Sequence, residues 1–279
     1  MKLKAFFLMI IFSLMTSSGA FALSITCSMY PVYDFARHIT GDSSGVKLLM
    51  RPGVEPHDFE PSPLDVKALN DSDVFIFTGA NMEHWAERIS HTLTHTVIID
   101  ASRNIPVVNN DPHIWLDLSL AQKMIADITE GLCTADPSHA DTYTHNADDY
   151  SQKISELDAK FSAMKKTSAL VFAGEFSHGY FVRRYGFDYI SAYDGENEPS
   201  VKRLAEVLKY IREHNTRCIF ADSFGVSAIT RSISEQTGAE ILTFDTAHNV
   251  QDTHRTFLEI MTENYDNIQR AMNEQITAQ

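Results

Sequence analysis

Four side chains in this sequence have the types and settings that metal chemistry needs. His57 lies in GVEPHDFEPSP and His113 in NNDPHIWLD, each next to a proline and near acids. Glu175 comes directly after the apolar run ALVFAG, and Asp245 closes ILTF. Imidazole combined with carboxylate is a donor set for Zn²⁺ or another first-row divalent metal. Asp58 and Asp111 stand close enough in sequence to accept an imidazole N–H and fix its tautomer. His178 and His248 each lie three residues beyond a favoured acid, Glu175 and Asp245, and either could replace or supplement that acid. A single loop histidine is more often a solvated side chain than a ligand, so the case rests on several coinciding. His91 and His95, spaced to share a helix face, have no third partner nearby and read as solvated, as do His84, His139, His145 and His214.

Ligands of parallel sheets bind in the loops beyond the carboxyl ends of strands, so the elements must place these loops together. Leu23–Ser28 and Val46–Met50 read as strands around a helix near Val32–Ile39, and the His57 loop follows the second strand. Ser62-Pro63-Leu64-Asp65 is a helix start, with serine as N-cap, proline at the first position and an acid facing the amide dipoles. That helix ends near Asn70. DVFIFTG, from Asp73, is a continuously apolar strand of the kind buried on both faces, and Val97–Asp100 repeats the pattern. From Tyr143, the residues Ala147, Tyr150, Ile154, Leu157, Phe161 and Met164 recur at spacings of four and three. That is one apolar stripe on one long helix, which from about Ser138 to Lys165 would span roughly 40 Å. A coiled-coil dimer is the rival reading, but the stripe is short and lacks Leu/Ile-dominated core pairs.

Strand and helix then alternate again, with strands at Ser168–Ala173, Tyr189–Ala192, Cys218–Ala221 and Ile241–Phe244. Helices fall at Pro199–His214, near Val226–Thr237, and over a closing stretch with Phe257, Met261, Ile268 and Met272. The expected fold is α/β: two parallel-sheet, Rossmann-like lobes, residues 23–135 and 167–279, joined by one long α-helix within residues 136–166. No internal repeat is visible by eye.

The first 22 residues read as a secretory signal, with Lys2 and Lys4, an apolar run, and Ala20-Phe21-Ala22 as the cleavage pattern. The run is too short to span a bilayer. Cys27 follows Ile25-Thr26, without the small residues of a lipoprotein signal, so no lipid anchor is expected and a Gram-negative periplasm is favoured. Losing the leader takes the formal charge from −14 to −16, which disfavours nucleic acid and weakly attracts cations. Cys27, Cys133 and Cys218 have no metal-type spacing; Cys27 and Cys218 read as buried thiols, and the compartment would permit one disulfide.

GVEPHDFEPSPLDVKALNDSDVFIFTGANMEHW resembles the first metal motif of the zinc/manganese solute-binding proteins of ABC importers (cluster 9), and DPHIWLDLSLAQKMIADI resembles their second. GYFVRRYGFDYISAY, EPSVKRLAEVLKYIREH and TGAEILTFD are similar to their second lobe, so the resemblance spans nearly the whole chain from about Ile25. It implies two α/β lobes on a rigid helix, with His57, His113 and Asp245 as ligands. The third place departs from zinc members, which commonly have His: Glu175 stands there, as in manganese-type members, and His178 replaces a usual aromatic residue. The His-rich loop of many zinc members is missing between Ala101 and Asp111.

The resemblance implies a monomeric periplasmic carrier, not an enzyme, that gives Zn²⁺, or next Mn²⁺, to an ABC permease at the inner membrane. Two other classes compete with this reading. An exported metallohydrolase would need an open metal position and a general base, and no HExxH or G-x-S-x-G appears. A surface adhesin on the same fold is disfavoured by the missing lipoprotein signal.

Overall fold

The structure, a computed structural model, describes residues 23–41, 45–174, 177–193, 198–223, 225–248 and 250–277. The expected leader, residues 1–22, and Glu175 lie outside them.

The first lobe holds β1 (Ile25–Cys27), α1 (Tyr30–Thr40), β2 (Val46–Leu48), α2 (Pro63–Asn70), β3 (Val74–Phe77), α3 (His84–Ser90), β4 (Val97–Asp100) and α4 (Leu118–Ala135). Its four strands are all parallel, in the order β2-β1-β3-β4. All four residues of β3 are buried, as a central strand covered on both faces requires. At the start of α2 the Ser62 hydroxyl accepts the Asp65 N–H, and the Asp65 carboxylate accepts the Ser62 N–H, closing a capping box. Helix α3 was not evident in the sequence; it is seven residues long and has no side-chain cap at its start.

The linking helix, α5, runs Ala140–Ala163. It is shorter than expected because Pro137–His139 forms a 3₁₀ turn and Met164 turns extended. Its buried residues, Tyr143, Ala147, Tyr150, Ile154, Leu157 and Phe161, are the stripe read from the sequence. That stripe is used inside the chain. Phe161, for example, packs against the rings of Phe181, Tyr185 and Tyr265.

The second lobe holds β5 (Leu170–Phe172), α6 (Gly179–Tyr185), β6 (Tyr189–Ser191), α7 (Val201–Glu213), β7 (Cys218–Ala221), α8 (Ala228–Thr237), β8 (Glu240–Thr243) and α9 (Phe257–Thr277). Its parallel sheet has the order β6-β5-β7-β8, the same winding as the first. The repeat is one of topology, which explains why residue identities do not display it. Alternation along β5 divides the core: Leu170 and Phe172 join the large cluster shared with the first lobe and α5, while Val171 and Ala173 join a smaller cluster under α7 and α8.

The lobes are tied a second time. The segment entering α9 returns to α1 of the first lobe, where Tyr30 Oη donates to the Arg255 carbonyl and Arg37 Nη1 to the Thr253 carbonyl at 3.1 Å. The buried Asp34 carboxylate accepts from Tyr150 Oη (2.7 Å) on α5 and from the Phe257 N–H (3.2 Å). Phe257 meets Phe35 edge-on at 5.1 Å. All three cysteines are free, Cys27 and Cys218 buried and Cys133 half-buried. Among the described residues no helix is long and apolar enough to cross a membrane.

Candidate metal centre

The first lobe presents two histidines from short, locally fixed loops. Pro56–Asp58 forms a 3₁₀ turn beyond β2, with Pro56 buried and His57 exposed. Glu55, rather than the neighbouring Asp58, secures this turn: its Oε1 accepts the His57 backbone N–H at 3.3 Å. Before the second histidine, Asn109 and Asn110 both adopt left-handed backbone (φ 57° and 56°), a conformation asparagine tolerates better than most residues. Asp111 Oδ1 then accepts the His113 N–H (3.1 Å) and faces His113 Nδ1 at 2.9 Å. That contact is the carboxylate–imidazole pairing expected from DPH, and it directs Nε2 away from Asp111. Burial holds His113 below the ordinary imidazole range, against the upward pull of Asp111. The His57 and His113 rings are 5.5 Å apart.

The second lobe supplies its groups from the turn after β8, which long-range contacts fix. Asp245 is buried; its N–H donates to Asn264 Oδ1 (2.8 Å) and its carbonyl accepts from Asn264 Nδ2 (2.7 Å). Its carboxylate accepts the Ala247 N–H at 2.9 Å and lies 3.4 Å from Arg255 Nη1. Ala247 is left-handed (φ 58°) and fully buried, a strained position for a residue with a Cβ. This left-handed residue turns the chain, and His248 beyond it faces the first lobe. The His248 ring sits 6.0 Å from that of His113. Its Nδ1 bonds Thr246 Oγ1 at 2.5 Å, and its Nε2 lies 3.5 Å from Glu55 Oε2. Burial alone would lower this imidazole's pKa, but Glu55, Asp222 and Asp245 raise it overall, and Glu55 is correspondingly lowered.

His178 takes a different place. It is buried, stacked flat on Phe172 at 3.5 Å between ring centroids and edge-on to Tyr189 at 5.6 Å. Burial, and secondarily the nearby His113, pushes its pKa down to about 3. Of the residues singled out in the sequence, His113 has the rings of His57 and His248 beside it where the lobes meet, Asp245 lies in the His248 turn with its carboxylate on the Ala247 N–H and Arg255, and His178 lies in the aromatic interior. His84, His91, His95, His145 and His214 are exposed, and the half-buried His139 bonds Asp136 at 2.6 Å.

Sequence reading missed Glu55 and Trp115 as parts of this centre. Trp115 Nε1 donates across the lobes to the Thr246 carbonyl at 2.7 Å, while its ring meets His113 at 5.4 Å. The signal for Glu55 was present in VEPHD, where an acid precedes the histidine by two residues as Asp111 precedes His113. A cleft of about 690 Å³ opens beside the histidines, with Gly53 and Glu55 on one wall and Gly174, Asp222 and Ser227 on the other. Elsewhere, Cys218, Glu240 and Glu274 are the one set of three among the described residues whose potential ligand atoms all lie within 4.8 Å of one another, but Arg270 already pairs with both carboxylates.

Several known proteins are similar to this chain. A family model described as "Zinc-uptake complex component A periplasmic" matches residues 25–271. The high-affinity zinc uptake system protein ZnuA of Bacillus subtilis (strain 168) is 28% identical over 273 residues, covering 88% of this chain and 86% of its own. The structure of the metal-dependent lipoprotein YcdH from Bacillus subtilis matches with a TM-score of 0.80 at 28% identity, covering 90% of this chain and 99% of that one. The Zn(II)-bound ZnuA-like domain of Streptococcus pneumoniae AdcA matches with a TM-score of 0.78 at 26% identity, covering 90% and 99%.

Proposed function

We propose a function from one premise: the chain belongs to the family of the periplasmic zinc-uptake complex component A. The family is one of solute-binding proteins for metal uptake, not of enzymes. In our reading this chain captures a divalent transition metal where its two lobes meet and gives it to an ABC permease at the inner membrane. His57 and His113 hold the ion from the first lobe, and Asp245 meets it from the second, with Glu175 or His178 in the remaining place. Zn²⁺ is favoured over Mn²⁺ because imidazole donors follow the Irving–Williams order. The protein works in the periplasm as a monomer, after cleavage of its leader behind Ala22.

The observation that carries this reading is the pairing of His57 and His113, 5.5 Å apart and facing the buried Asp245 turn of the opposite lobe. Metal-bound imidazole nitrogens lie about 2.0–2.1 Å from zinc, which in a tetrahedral site sets ring centroids about 5 Å apart. Prolines 56, 61 and 63 fix the His57 loop before the ion arrives, reducing the ordering cost of capture. The double tether of α5 and the α9 entry resists wide opening, so delivery involves a modest movement. Small-angle scattering of metal-free and loaded protein is expected to give nearly equal radii of gyration.

The direct test is mass spectrometry of metals carried by the purified chain. One zinc per chain is expected, and the His57→Ala/His113→Ala double variant should carry none. Equal metal content in wild type and double variant would refute the site.

A further inference from the structure

We infer that His248 is a third imidazole ligand to the captured ion, with Glu55 as the group that holds its ring ready and then yields Nε2 to the metal. The inference rests on the proposed metal site and deepens it, since His57, His113 and Asp245 alone do not include a second-lobe histidine.

Three observations on geometry carry it. First, His113 has both other rings beside it, His57 at 5.5 Å and His248 at 6.0 Å, each beyond the roughly 5 Å of imidazoles sharing a tetrahedral zinc, so the three rings would draw together on the ion. Second, His113 and His248 are fixed alike. Each has Nδ1 tied to a nearby oxygen, Asp111 Oδ1 at 2.9 Å and Thr246 Oγ1 at 2.5 Å, leaving Nε2 as the nitrogen turned to a ligand. An outer partner on one ring nitrogen is how proteins orient metal-binding histidines. Third, His248 Nε2 already faces a charged group of the opposite lobe, Glu55 Oε2 at 3.5 Å. That same carboxylate holds the backbone of His57. One side chain therefore sets both histidines, and a cation entering between them would meet Nε2 of His248 and the Glu55 carboxylate together.

The local backbone points the same way. A buried alanine in left-handed conformation is costly, and Ala247 sits there between Asp245 and His248. The Asp245 carboxylate accepts its N–H, so part of the work of Asp245 is to shape the turn that aims His248. His178 is the competing third imidazole, but it lies flat against Phe172 in the aromatic interior. Three imidazoles with one carboxylate make the site a stronger zinc binder than two imidazoles with two carboxylates.

X-ray absorption spectroscopy of the zinc-loaded full chain, which counts bound imidazoles, tests this alongside competition titrations with a zinc chelator. The wild type is expected to show three imidazoles, and His248→Gln two. Zinc affinity of His248→Gln is expected to fall by more than the roughly 10–100-fold that loss of an outer partner costs. His178→Gln should keep all three. An unchanged imidazole count in His248→Gln, or a count that falls to two in His178→Gln, would overturn the assignment. The second of these needs only the His178 variant, so it stands if His248→Gln fails to fold. If His57→Ala and His113→Ala both left the count and affinity unchanged, the metal site itself would be wrong, a failure distinct from that of His248.

Discussion

The two lobes have the same strand order and the same parallel pairing, yet they build their halves of the proposed site by different means. The first lobe fixes its histidines locally: a proline-rich 3₁₀ turn carries His57, and Asp111, two residues away, holds His113. The second lobe fixes its half from a distance. Asn264, nineteen residues on, holds Asp245, and Trp115 of the other lobe caps the Thr246 carbonyl. The contrast teaches that one wall is pre-formed by its own loop, while the other exists only when the whole chain has folded.

The first expected effect, and the largest, falls on the pre-formed wall. His57→Ala or His113→Ala should each reduce zinc affinity by well over 100-fold, with melting of the metal-free protein little changed for the exposed His57. Equal losses of metal-free stability in both would break the comparison, because it would make the His57 loop dependent on the rest of the fold. Next comes the long-range wall. Trp115→Phe removes the donor to the buried Thr246 carbonyl, and the metal-free protein should lose about 1–3 kcal/mol, read by thermal melting. Asp111→Asn, within the local wall, should weaken zinc binding by about 10–100-fold.

This difference also decided what could be read from residues alone. The histidine motifs and the α5 stripe were legible because their causes lie within a few residues: proline, a nearby acid, and apolar spacing. Helices α3 and α6 were not legible, since each is seven residues long and has no side-chain cap. Trp115 was hidden because its partner, the Thr246 carbonyl, is 131 residues away, and the contact of Glu55 with His248 was hidden because it crosses the lobes, although VEPHD carried the local part of the Glu55 signal. The matching strand orders were hidden for another reason, since topology repeats here without repeated residues.

Acid offers a smaller effect that sharpens the comparison. In the unfolded chain His113 and His178 take up protons near pH 6.5, but folded they stay neutral to lower pH, His178 down to about 3. The unfolded state binds these protons first, so metal-free stability falls as pH drops below about 6.5. His38 and His248, whose values are raised, contribute in the opposite sense: their stabilisation is present below pH 6.5 and fades as pH rises through their folded values. His178→Phe keeps an aromatic ring against Phe172 and should move the acid midpoint of the metal-free protein downward. An unmoved midpoint would remove His178 from the acid response. The smallest effect belongs to Ala247→Gly. Relief of the left-handed strain is offset by glycine's greater unfolded freedom, so melting should change by no more than about 1 kcal/mol.

The central claim is that one ion is held by His57 and His113 of the first lobe, where it faces the second. Crystals of the zinc-loaded protein, measured on both sides of the zinc absorption edge, locate that ion directly. The account predicts a single strong anomalous peak about 2.0–2.1 Å from a ring nitrogen of each histidine. A peak away from both, for instance at the Cys218, Glu240 and Glu274 cluster, would contradict it.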